Sequence, residues 1–405
     1  MLLKIAWRNI WRNRTRSLLV IGAVMLGIMA LVFMAGWVYG IVNSYIDNAI
    51  QTQTSHLQIH HPEFNKTQKG KYFMEDVDQM LAKIEATSSV PSVVAVRSLI
   101  SGTIVSPRAT RPVFIKAVDP EMEKVVTQFN TKVETGAYLD TDKKRPILIS
   151  EKLAEKLKIK IGKKVVLNFT DKEGELTGLN FKVSGFYNTG NSKVDELFIY
   201  VRSSDLNPKF GFKNEAHEIA ILLNNIDGVD TVKSELAAVF PNYEVTDYQQ
   251  ISPMISLYKT QIGVSVTIIV VIIMIALIFG IINTMLMAVL ERTKELGMLM
   301  AVGMNKTKVF LMIMLETLLL SLVGVPLGLL FGHIIVVIFG HTGIDLSSYQ
   351  DSLDDFGINS IIYTSPQPDF YVSIIIAVLI TAFIASIFPS LRAIRLRPVE
   401  AIRKI

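Results

Sequence analysis

Four long apolar segments constrain this 405-residue chain more than any other feature. They are residues 17–46, 260–290, 309–340 and 370–391, and Glu316 is the one Asp, Glu, Lys or Arg within them. A helix of about 20 apolar residues crosses the hydrocarbon core of a bilayer. Each segment is long enough to do so, and the chain is therefore predicted to cross a membrane four times.

The lysine and arginine residues predict which side of the membrane each loop faces. Residues 1–16, 291–308 and 392–405 together hold 14 Lys and Arg but only three Asp and Glu, whereas residues 341–369 hold no Lys or Arg and five Asp. Short segments rich in Lys and Arg stay on the cytoplasmic side. We therefore expect both termini and the 291–308 loop inside, and residues 47–259 and 341–369 outside.

The positive net charge does not indicate nucleic-acid binding. Residues 47–259 hold 27 Lys and Arg and 27 Asp and Glu, so the excess of +5 lies in segments that flank the membrane. There it favours anionic lipid headgroups, which makes membrane lipids an expected partner. The sequence contains no Cys, which excludes disulfides and thiol chemistry. The segment 17–46 is longer than the roughly 7 to 15 apolar residues of a signal peptide, so an uncleaved anchor is expected.

Residues 47–259 are predicted to form an α+β domain with two lobes. The two ends of this region repeat one strand–helix–strand pattern, from "SHLQIHH" to "SVVAVRSLI" and from "HEIAILL" to "YEVTDY". An α/β lobe is expected from residues 47–110 and 213–250, and an inserted β-rich lobe from residues 111–212. A helix that starts near Tyr248 or Pro253 should continue through the second span as a rigid stalk; an ordinary linker before residue 260 is the alternative.

The loop at 291–308 carries the most specific motif. It reads "ERTKELGMLMAVGMNKTKV", which predicts a charged turn and a short amphipathic helix. Gly303 can end this helix in a left-handed conformation. The side chains expected to be available to a groove on a partner are Leu296, Leu299, Met300 and Val302. An interfacial helix packed on surrounding lipid is the alternative.

This loop resembles the coupling segment of FtsX-like ABC-transporter permeases, which has the form E-R-x-x-E-[IL]-G followed by an apolar stretch and A-x-G. The tail "FPSLRAIRLRPVEAIR" and the start "IAWRNIWRNRTRSLL" are similar to the terminal basic helices of that family. The resemblance assigns coupling to an ATPase to Glu291, Arg292, Lys294, Glu295, Leu296, Gly297, Ala301 and Gly303. It places the C-terminal motif at Pro389, Arg392, Ala393, Pro398, Glu400 and Arg403.

The outer region is similar to the permeases of lipoprotein-releasing systems, in which a pattern G-x-[FY]-x-T-G-x-x-x-x-D recurs. Here the pattern starts at Gly185 and ends at Asp195. The resemblance implies a transporter permease of the inner membrane that works as a dimer, with a second copy or a paralogue. This sequence has no G-x-x-x-x-G-K-[ST] phosphate loop, so ATP and Mg²⁺ are expected on a separate ABC ATPase subunit and no cofactor on this chain.

The same resemblance implies how such a permease works. Closure of the ATPase pair would push the inner loop and rearrange the outer domains, so that lipoprotein or other membrane-derived cargo is released outside, to a periplasmic chaperone or adaptor. Two other functions stay open within the family. One is a MacB-type efflux permease for small molecules or peptides, and the other is an FtsX-type signalling permease, which generally has a smaller outer domain.

Two groups of polar side chains have simpler interpretations than catalysis. Glu316 lies inside the third span, where a carboxylate is costly unless it is paired, and a structural bond to a neighbouring helix is expected rather than proton relay. His56 and His60 would lie about 13 Å apart on one face of a strand, with His61 on the other face. No metal site is expected there.

Overall fold

The computed structural model describes residues 2–12, 14–87, 92–139, 142 and 144–395. The chain divides into two compact units. The first consists of the residues up to Ile41, Thr260–Asp345 and the residues from Ile361 on. The second consists of Val42–Lys259 and Leu346–Ser360.

Long apolar helices dominate the first unit. A short N-terminal helix, Leu2–Arg12, comes before them. Four helices are long and apolar enough to cross a membrane, and they are called spans 1 to 4: Arg14–Ala49, Pro253–Glu291, Lys306–Thr342 and Pro368–Ile394. Span 1 continues as a π-helical turn over Ile50–Thr54. The predicted membrane-helical fold with four spans is confirmed.

Span 2 starts at Pro253 rather than near Tyr248. A separate short helix covers Tyr248–Ile251, and Ser252 between the two is extended, with φ −113° and ψ 92°. A residue that precedes proline is kept out of the helical region by the proline ring, which explains the break. From Pro253 the helix is uninterrupted for 39 residues, about 58 Å at 1.5 Å per residue.

A row of glycines lets span 3 pack closely against span 1. Gly324, Gly328 and Gly332 are spaced four residues apart, so they lie on one face of the helix. A Cβ atom at Gly328 would lie 2.7 Å from Cβ of Ile28, and one at Gly332 would lie 2.8 Å from Cβ of Val32. Small residues allow this close approach, which membrane helices use because lipid offers no hydrophobic drive for their association.

The second unit is built on one sheet of ten strands, called β1 to β10. Their bounds are β1 Leu57–His60, β2 Ser92–Val105, β3 Thr110–Val118, β4 Val133–Gly136, β5 Pro146–Ser150, β6 Lys164–Thr170, β7 Leu176–Tyr187, β8 Phe198–Arg202, β9 Glu218–Leu223 and β10 Glu244–Asp247. The order is β10-β1-β9-β2-β3-β8-β5-β7-β4, and β6 pairs with β2 and β7.

Strand β2 is shared by the two predicted lobes. Residues Ser92–Arg97 pair antiparallel with β9, while Arg97–Val105 pair with β3. The two copies of the repeated strand–helix–strand pattern lie at one end of the sheet. The first copy runs along the chain from β1 to β2, and the second runs from β9 to β10. The helices that follow β1 and β9 in this pattern cover Val77–Thr87 and Val229–Val239. The predicted α+β outer domain is confirmed, and one continuous sheet runs through it.

Short helices and turns complete the second unit. They cover Phe64–Thr67, Pro120–Thr127, Phe129–Lys132, Glu151–Leu157, Ser192–Asp195, Ser203–Phe210 and Ile226–Gly228. The loop between spans 3 and 4 also belongs to it, with a helix at Gln350–Asp354 after a turn at Ser347–Tyr349. Its Asp355 pairs with Lys152 at 3.0 Å. Two short strands, β11 Ile344–Asp345 and β12 Ile361–Ile362, pair with each other in the first unit.

Candidate functional site

The charged residues of the inner loop gather around a short helix, Thr293–Ala301, here called the loop helix. Leu296 and Gly297 are buried on its inner side, and Leu296 joins the apolar core of the first unit. Met298 is 60% exposed and Val302, just after the helix, is 85% exposed. The loop helix therefore has one side fixed in the protein and one free apolar side.

The expectation that Leu296 faces a partner is wrong. Its side chain is only 4% exposed, because a residue at this position of the helix turns toward spans 2 and 3. Leu299 and Val302 remain accessible, at 36% and 85%, and Met300 is half-buried. The apolar surface open to a partner thus lies at the C-terminal end of the loop helix.

Gly303 ends the loop helix in the predicted left-handed conformation. Its φ is +104°, its N–H donates to Met300 O at 3.2 Å, and Met304 N–H donates to Leu299 O at 3.0 Å. This pair of hydrogen bonds is a Schellman motif, which satisfies carbonyls at the helix end and needs a residue that tolerates positive φ. Asn305 caps the N-terminus of span 3, where its Oδ1 accepts from Thr307 N–H at 3.2 Å.

An ion pair with little exposure to water fixes the start of the loop helix to span 3. Arg292 Nη1 donates to both oxygens of Glu316, at 2.9 and 3.2 Å, and the two side chains are 11% and 9% exposed. Arg292 Nη2 also donates to Asn9 O at 3.0 Å. The carboxylate of Glu316 inside span 3 is therefore paired with Arg292 of the inner loop, as its burial requires.

Two further Arg–Glu pairs connect the same region. Arg12 of the N-terminal helix pairs with Glu295, and Arg16 of span 1 pairs with Glu291. Both Arg12 and Glu295 are 53% exposed, so that pair contributes little to stability. Its position matters more, since the three pairs join the N-terminal helix, span 1 and span 3 to the inner loop.

A cavity of about 390 Å³ opens beside these pairs. The predicted residues that line it are Arg292, Glu295, Leu296 and Glu316. Arg8 and Arg12 of the N-terminal helix add positive charge, and Leu299 adds an apolar wall. The other predicted coupling residues lie outside its lining: Glu291, Lys294, Gly297, Ala301 and Gly303. Charged and apolar side chains together can hold an amphipathic element of another protein.

Two family models match the chain. The model of the FtsX-like permease C-terminal domain matches residues 267–398. The model of the MacB-like periplasmic core domain matches residues 17–239, more than half of the 405 residues. The chain is an ABC transporter permease of the FtsX/MacB type. The permease is a multi-pass protein of the inner membrane with a large periplasmic domain, and its family implies an ATPase partner.

Curated relatives agree with this family. An uncharacterised ABC transporter permease of Methanocaldococcus jannaschii is 23% identical over 98% of this chain and 96% of its own length. The lipoprotein-releasing system transmembrane protein LolC of Xylella fastidiosa is 23% identical over 72% of this chain and 73% of its own. The macrolide export ATP-binding/permease protein MacB of a Shewanella species is 34% identical over 31% of this chain and 17% of its own.

The C-terminal motif of the permease is described in part. Pro389 and Ala393 are buried in the last turns of span 4, while Arg392 is exposed. Pro398, Glu400 and Arg403 lie outside the described residues. The two buried residues of the motif therefore pack within the first unit of the permease.

The predicted pattern at the end of β7 forms a buried turn in the permease. Asp195 accepts hydrogen bonds from Thr189 N–H at 2.8 Å and from Thr189 Oγ1 at 2.6 Å. Burial raises the pKa of the Asp195 carboxyl to about 7, although the bonds from Thr189 lower it. Nearby Asn188 Nδ2 donates to Asp354 Oδ2 at 3.3 Å, so this turn meets the loop between spans 3 and 4.

His56, His60 and His61, the histidines considered above as metal ligands, have separate environments in the permease. His56 Nδ1 accepts from Leu223 N–H at 3.0 Å. The ring nitrogens of His60 lie 2.8 Å from Gln58 Oε1 and 3.2 Å from His217 O. His61 stacks on Tyr72. Among the described residues no group of three or more His, Asp or Glu side chains is arranged to hold a metal ion.

The roles of several of these residues could not be predicted from the sequence. Arg12, Arg16 and Asn9 were assigned only to a basic N-terminal helix, although their partners lie about 280 positions along the chain. Arg97 is a lone arginine in the apolar strand segment "SVVAVRSLI", and this isolated charge was a readable signal for the buried charge cluster of the periplasmic domain that is described below. The spacing of Gly324, Gly328 and Gly332 was an equally readable signal for helix packing.

Proposed function

We propose that this permease relays work from its ATPase partner to its periplasmic domain, and that the cargo is lipoprotein. In this proposal the permease extracts lipoproteins from the inner membrane for transfer to the outer membrane. ATP and Mg²⁺ bind to the partner, and the inner loop receives the motion of that partner.

The observation that carries the proposal is the two-sided character of the loop helix. Arg292 and Leu296 fix its inner side through the pair with Glu316 and through the apolar core. Leu299 and Val302 are accessible on its other side. A helix that is exposed to a partner and also tied to the spans transmits a push better than a loose loop, because little of the displacement is lost in bending.

The energy of extraction supports an ATP-driven process. Moving an acyl chain out of a bilayer costs about 0.8 kcal/mol for each CH₂ group. A lipoprotein with several long acyl chains is therefore held too firmly for release without an energy source. The similarity to LolC over most of both chains supports this cargo class.

The proposed assembly contains two permeases and two ATPase subunits. The second permease is a copy of this chain or a paralogue, and a periplasmic chaperone or adaptor receives the cargo. Large exposed apolar side chains on span 2, including Ile268, Ile272 and Phe279, offer surface for lipid or for a second permease.

A second candidate is efflux of small molecules or peptides. The match to the MacB-like periplasmic core domain over residues 17–239 supports it. The similarity to the macrolide export protein MacB supports it as well. In that case an adaptor and an outer-membrane duct would replace the lipoprotein chaperone.

Depletion of the permease in its native cell distinguishes the two candidates. For lipoprotein release, outer-membrane lipoproteins should accumulate in the inner-membrane fraction, while susceptibility to macrolides stays as before. For efflux, the lipoproteins should sort normally and susceptibility should rise. Normal lipoprotein sorting in depleted cells would remove the first candidate.

A further inference from the structure

The periplasmic domain contains a cavity of about 760 Å³ on one face of its sheet. Neighbouring strands contribute side chains to its floor, among them Gln58 of β1, Glu218 of β9, Leu99 of β2, Lys116 of β3 and Tyr200 of β8. The first turns of span 2 form a wall, with Met254 and Leu257. None of its lining residues belongs to the inner loop.

A buried charge cluster lies under the cavity. Arg97 is fully buried and donates two hydrogen bonds to Glu123, Nε to Oε2 at 3.0 Å and Nη2 to Oε1 at 2.8 Å. Its Nη1 donates to Glu218 Oε1 at 2.6 Å. Both carboxylates are thus engaged by the same guanidinium group, which is the arrangement that buried charges need.

Lys116 stands apart from that arrangement. Its side chain is 4% exposed, yet its Nζ makes no hydrogen bond and no ion pair with any residue in the described part of the chain. Nζ lies over the rings of Phe198 and Tyr200, 5.4 and 5.7 Å from their centroids. Aromatic faces attract an ammonium group but do not accept its three N–H donors.

Lys116 lines the cavity, and its ammonium group has no acceptor among the described residues, so a ligand in the cavity that brings an acceptor would be stabilised at this position. Burial, together with the charge of nearby Arg97, lowers the pKa of the Lys116 amine to about 8. Glu218 and Glu123 act in the opposite direction without hydrogen-bonding to the amine. An acid group placed against Nζ would favour the charged amine again.

The remaining walls define the rest of the ligand. Leu99 and Phe198 flank Lys116, and Met254 and Leu257, which are 49% and 61% exposed, present further apolar surface. Gln58 and other side-chain amides of the lining offer hydrogen-bond donors. An apolar wall next to an ammonium group fits a molecule with an acid head and an alkyl body rather than an inorganic anion.

We propose that this cavity binds an anionic amphiphile, with its carboxylate or phosphate group at Lys116 Nζ and its alkyl chain along Met254 and Leu257. The one lining carboxylate outside the cluster, that of Glu244, does not prevent this. It lies on β10, four strands from β3, which is about 19 Å at the usual strand spacing. The site does not depend on which cargo the permease exports.

Photolabelling of the full-length permease in phosphatidylcholine nanodiscs tests the proposal. The probe is dodecanoate with a diazirine in its chain, and labelled peptides are identified by mass spectrometry. Label is expected in residues 198–200 and 250–257. Decanoate and decyl phosphate, which separate a carboxylate from a phosphate ligand, should compete at concentrations at least tenfold lower than decanol does. Equal competition by decanol, or label confined to the spans outside residues 253–257, would overturn the proposal.

Two variants report on the two ends of the ligand. Lys116→Met should weaken competition by the preferred acid at least tenfold, whereas Lys164→Met, a change at an exposed strand lysine, should leave it unchanged. Leu257→Asp, at an exposed position, should abolish labelling of the cavity without disturbing the fold as judged by size-exclusion chromatography. This variant keeps the test valid even if Lys116→Met fails to fold. Labelling of Leu257→Asp at the wild-type level, or wild-type competition in a folded Lys116→Met, would refute the site.

Discussion

At the scale of single residues, Arg292 neutralises a buried carboxylate inside the membrane-spanning unit. Its guanidinium group is the hydrogen-bond partner of Glu316, and both side chains are about nine-tenths buried. Removing one member of a buried pair leaves an uncompensated charge, which costs more than the pair itself contributes. Arg292 thus explains why a carboxylate is tolerated inside span 3.

Arg292→Met should therefore lower the free energy of unfolding by about 3–5 kcal/mol. The double variant Arg292→Met/Glu316→Met should recover most of that loss, since neither charge remains. Denaturant unfolding of the purified permease in detergent measures both. Arg12→Met, which removes an exposed pair, is the matched control and should cost about 0–1 kcal/mol. A double variant as unstable as Arg292→Met alone would contradict the role given to the pair.

Asp195 predicts a dependence of stability on pH. Burial raises the pKa of its carboxyl from 3.8 to about 7 in the folded protein, so the folded state holds this proton more tightly than the unfolded state. The stabilisation is complete below about pH 4 and is lost as the pH rises toward 7. The turn from Thr189 to Asp195 should accordingly be better protected from hydrogen–deuterium exchange at pH 5 than at pH 7.5.

Asp195→Asn removes this titration and keeps an acceptor for the N–H of Thr189. The difference in protection between pH 5 and pH 7.5, after correction for intrinsic exchange rates, should therefore shrink in the variant. An unchanged difference would assign the pH dependence to another group.

The sequence indicates which charged side chains need a partner when they are buried, but it does not indicate which residues those partners are. Glu316 was recognisable as a residue that needs a bond, because a carboxylate inside an apolar span is costly. Its partner Arg292 lies 24 positions away in a loop full of charges, and three other basic residues of that loop were equal candidates. Lys116 gave no signal in "RPVFIKAVD", since a strand lysine is usually exposed and only the fold buries it.

At the scale of helices and strands, the glycine row of span 3 determines how closely it packs on span 1. A side chain at Gly328 would meet Cβ of Ile28 at 2.7 Å and the carbonyl oxygen of Met25 at 2.8 Å. Backbone atoms cannot move away as a flexible side chain can. The two helices would have to separate, with loss of contacts along the whole row.

Gly328→Leu should strongly reduce the yield of folded permease. Gly280→Leu is the matched control, because a Cβ atom at Gly280 meets nothing within 4 Å. Fluorescence-detected size-exclusion chromatography of tagged variants measures the folded fraction. Equal folded fractions for the two variants would show that the close approach of spans 1 and 3 is unimportant.

Elements with a strong periodic pattern were predictable, and short ones were not. The four spans and the strands β1, β2, β9 and β10 follow apolar or alternating segments that are recognisable in the sequence. Strand β4 and the helix Pro120–Thr127 were missed. Most of β4 is exposed, so its sequence shows no alternation of apolar and polar residues. The helix is only eight residues long, although Asp119 Oδ1 caps its N-terminus by accepting from Glu121 N–H at 2.9 Å and from Met122 N–H at 3.1 Å.

At the scale of the whole molecule, different parts of the permease receive work and handle cargo in the proposed function. The inner loop, with its Arg–Glu pairs and exposed Leu299 and Val302, is the proposed receiver of work. The periplasmic domain is the part that handles cargo in this proposal. The distribution of Lys and Arg already predicted which segments face the cytoplasm, because that rule depends on composition and not on tertiary contacts.

The most direct test measures ATP hydrolysis by the partner ATPase when it is reconstituted with the permease in nanodiscs. Glu295→Arg, Val302→Glu and Gly303→Trp should each abolish the hydrolysis that the permease stimulates, while the variants still insert in the membrane and elute as folded protein. Gly303→Asn should retain most of it, because Asn tolerates a positive φ. If the three disruptive variants stimulate hydrolysis as well as the wild type does, the inner loop does not receive work from the ATPase and the account is wrong.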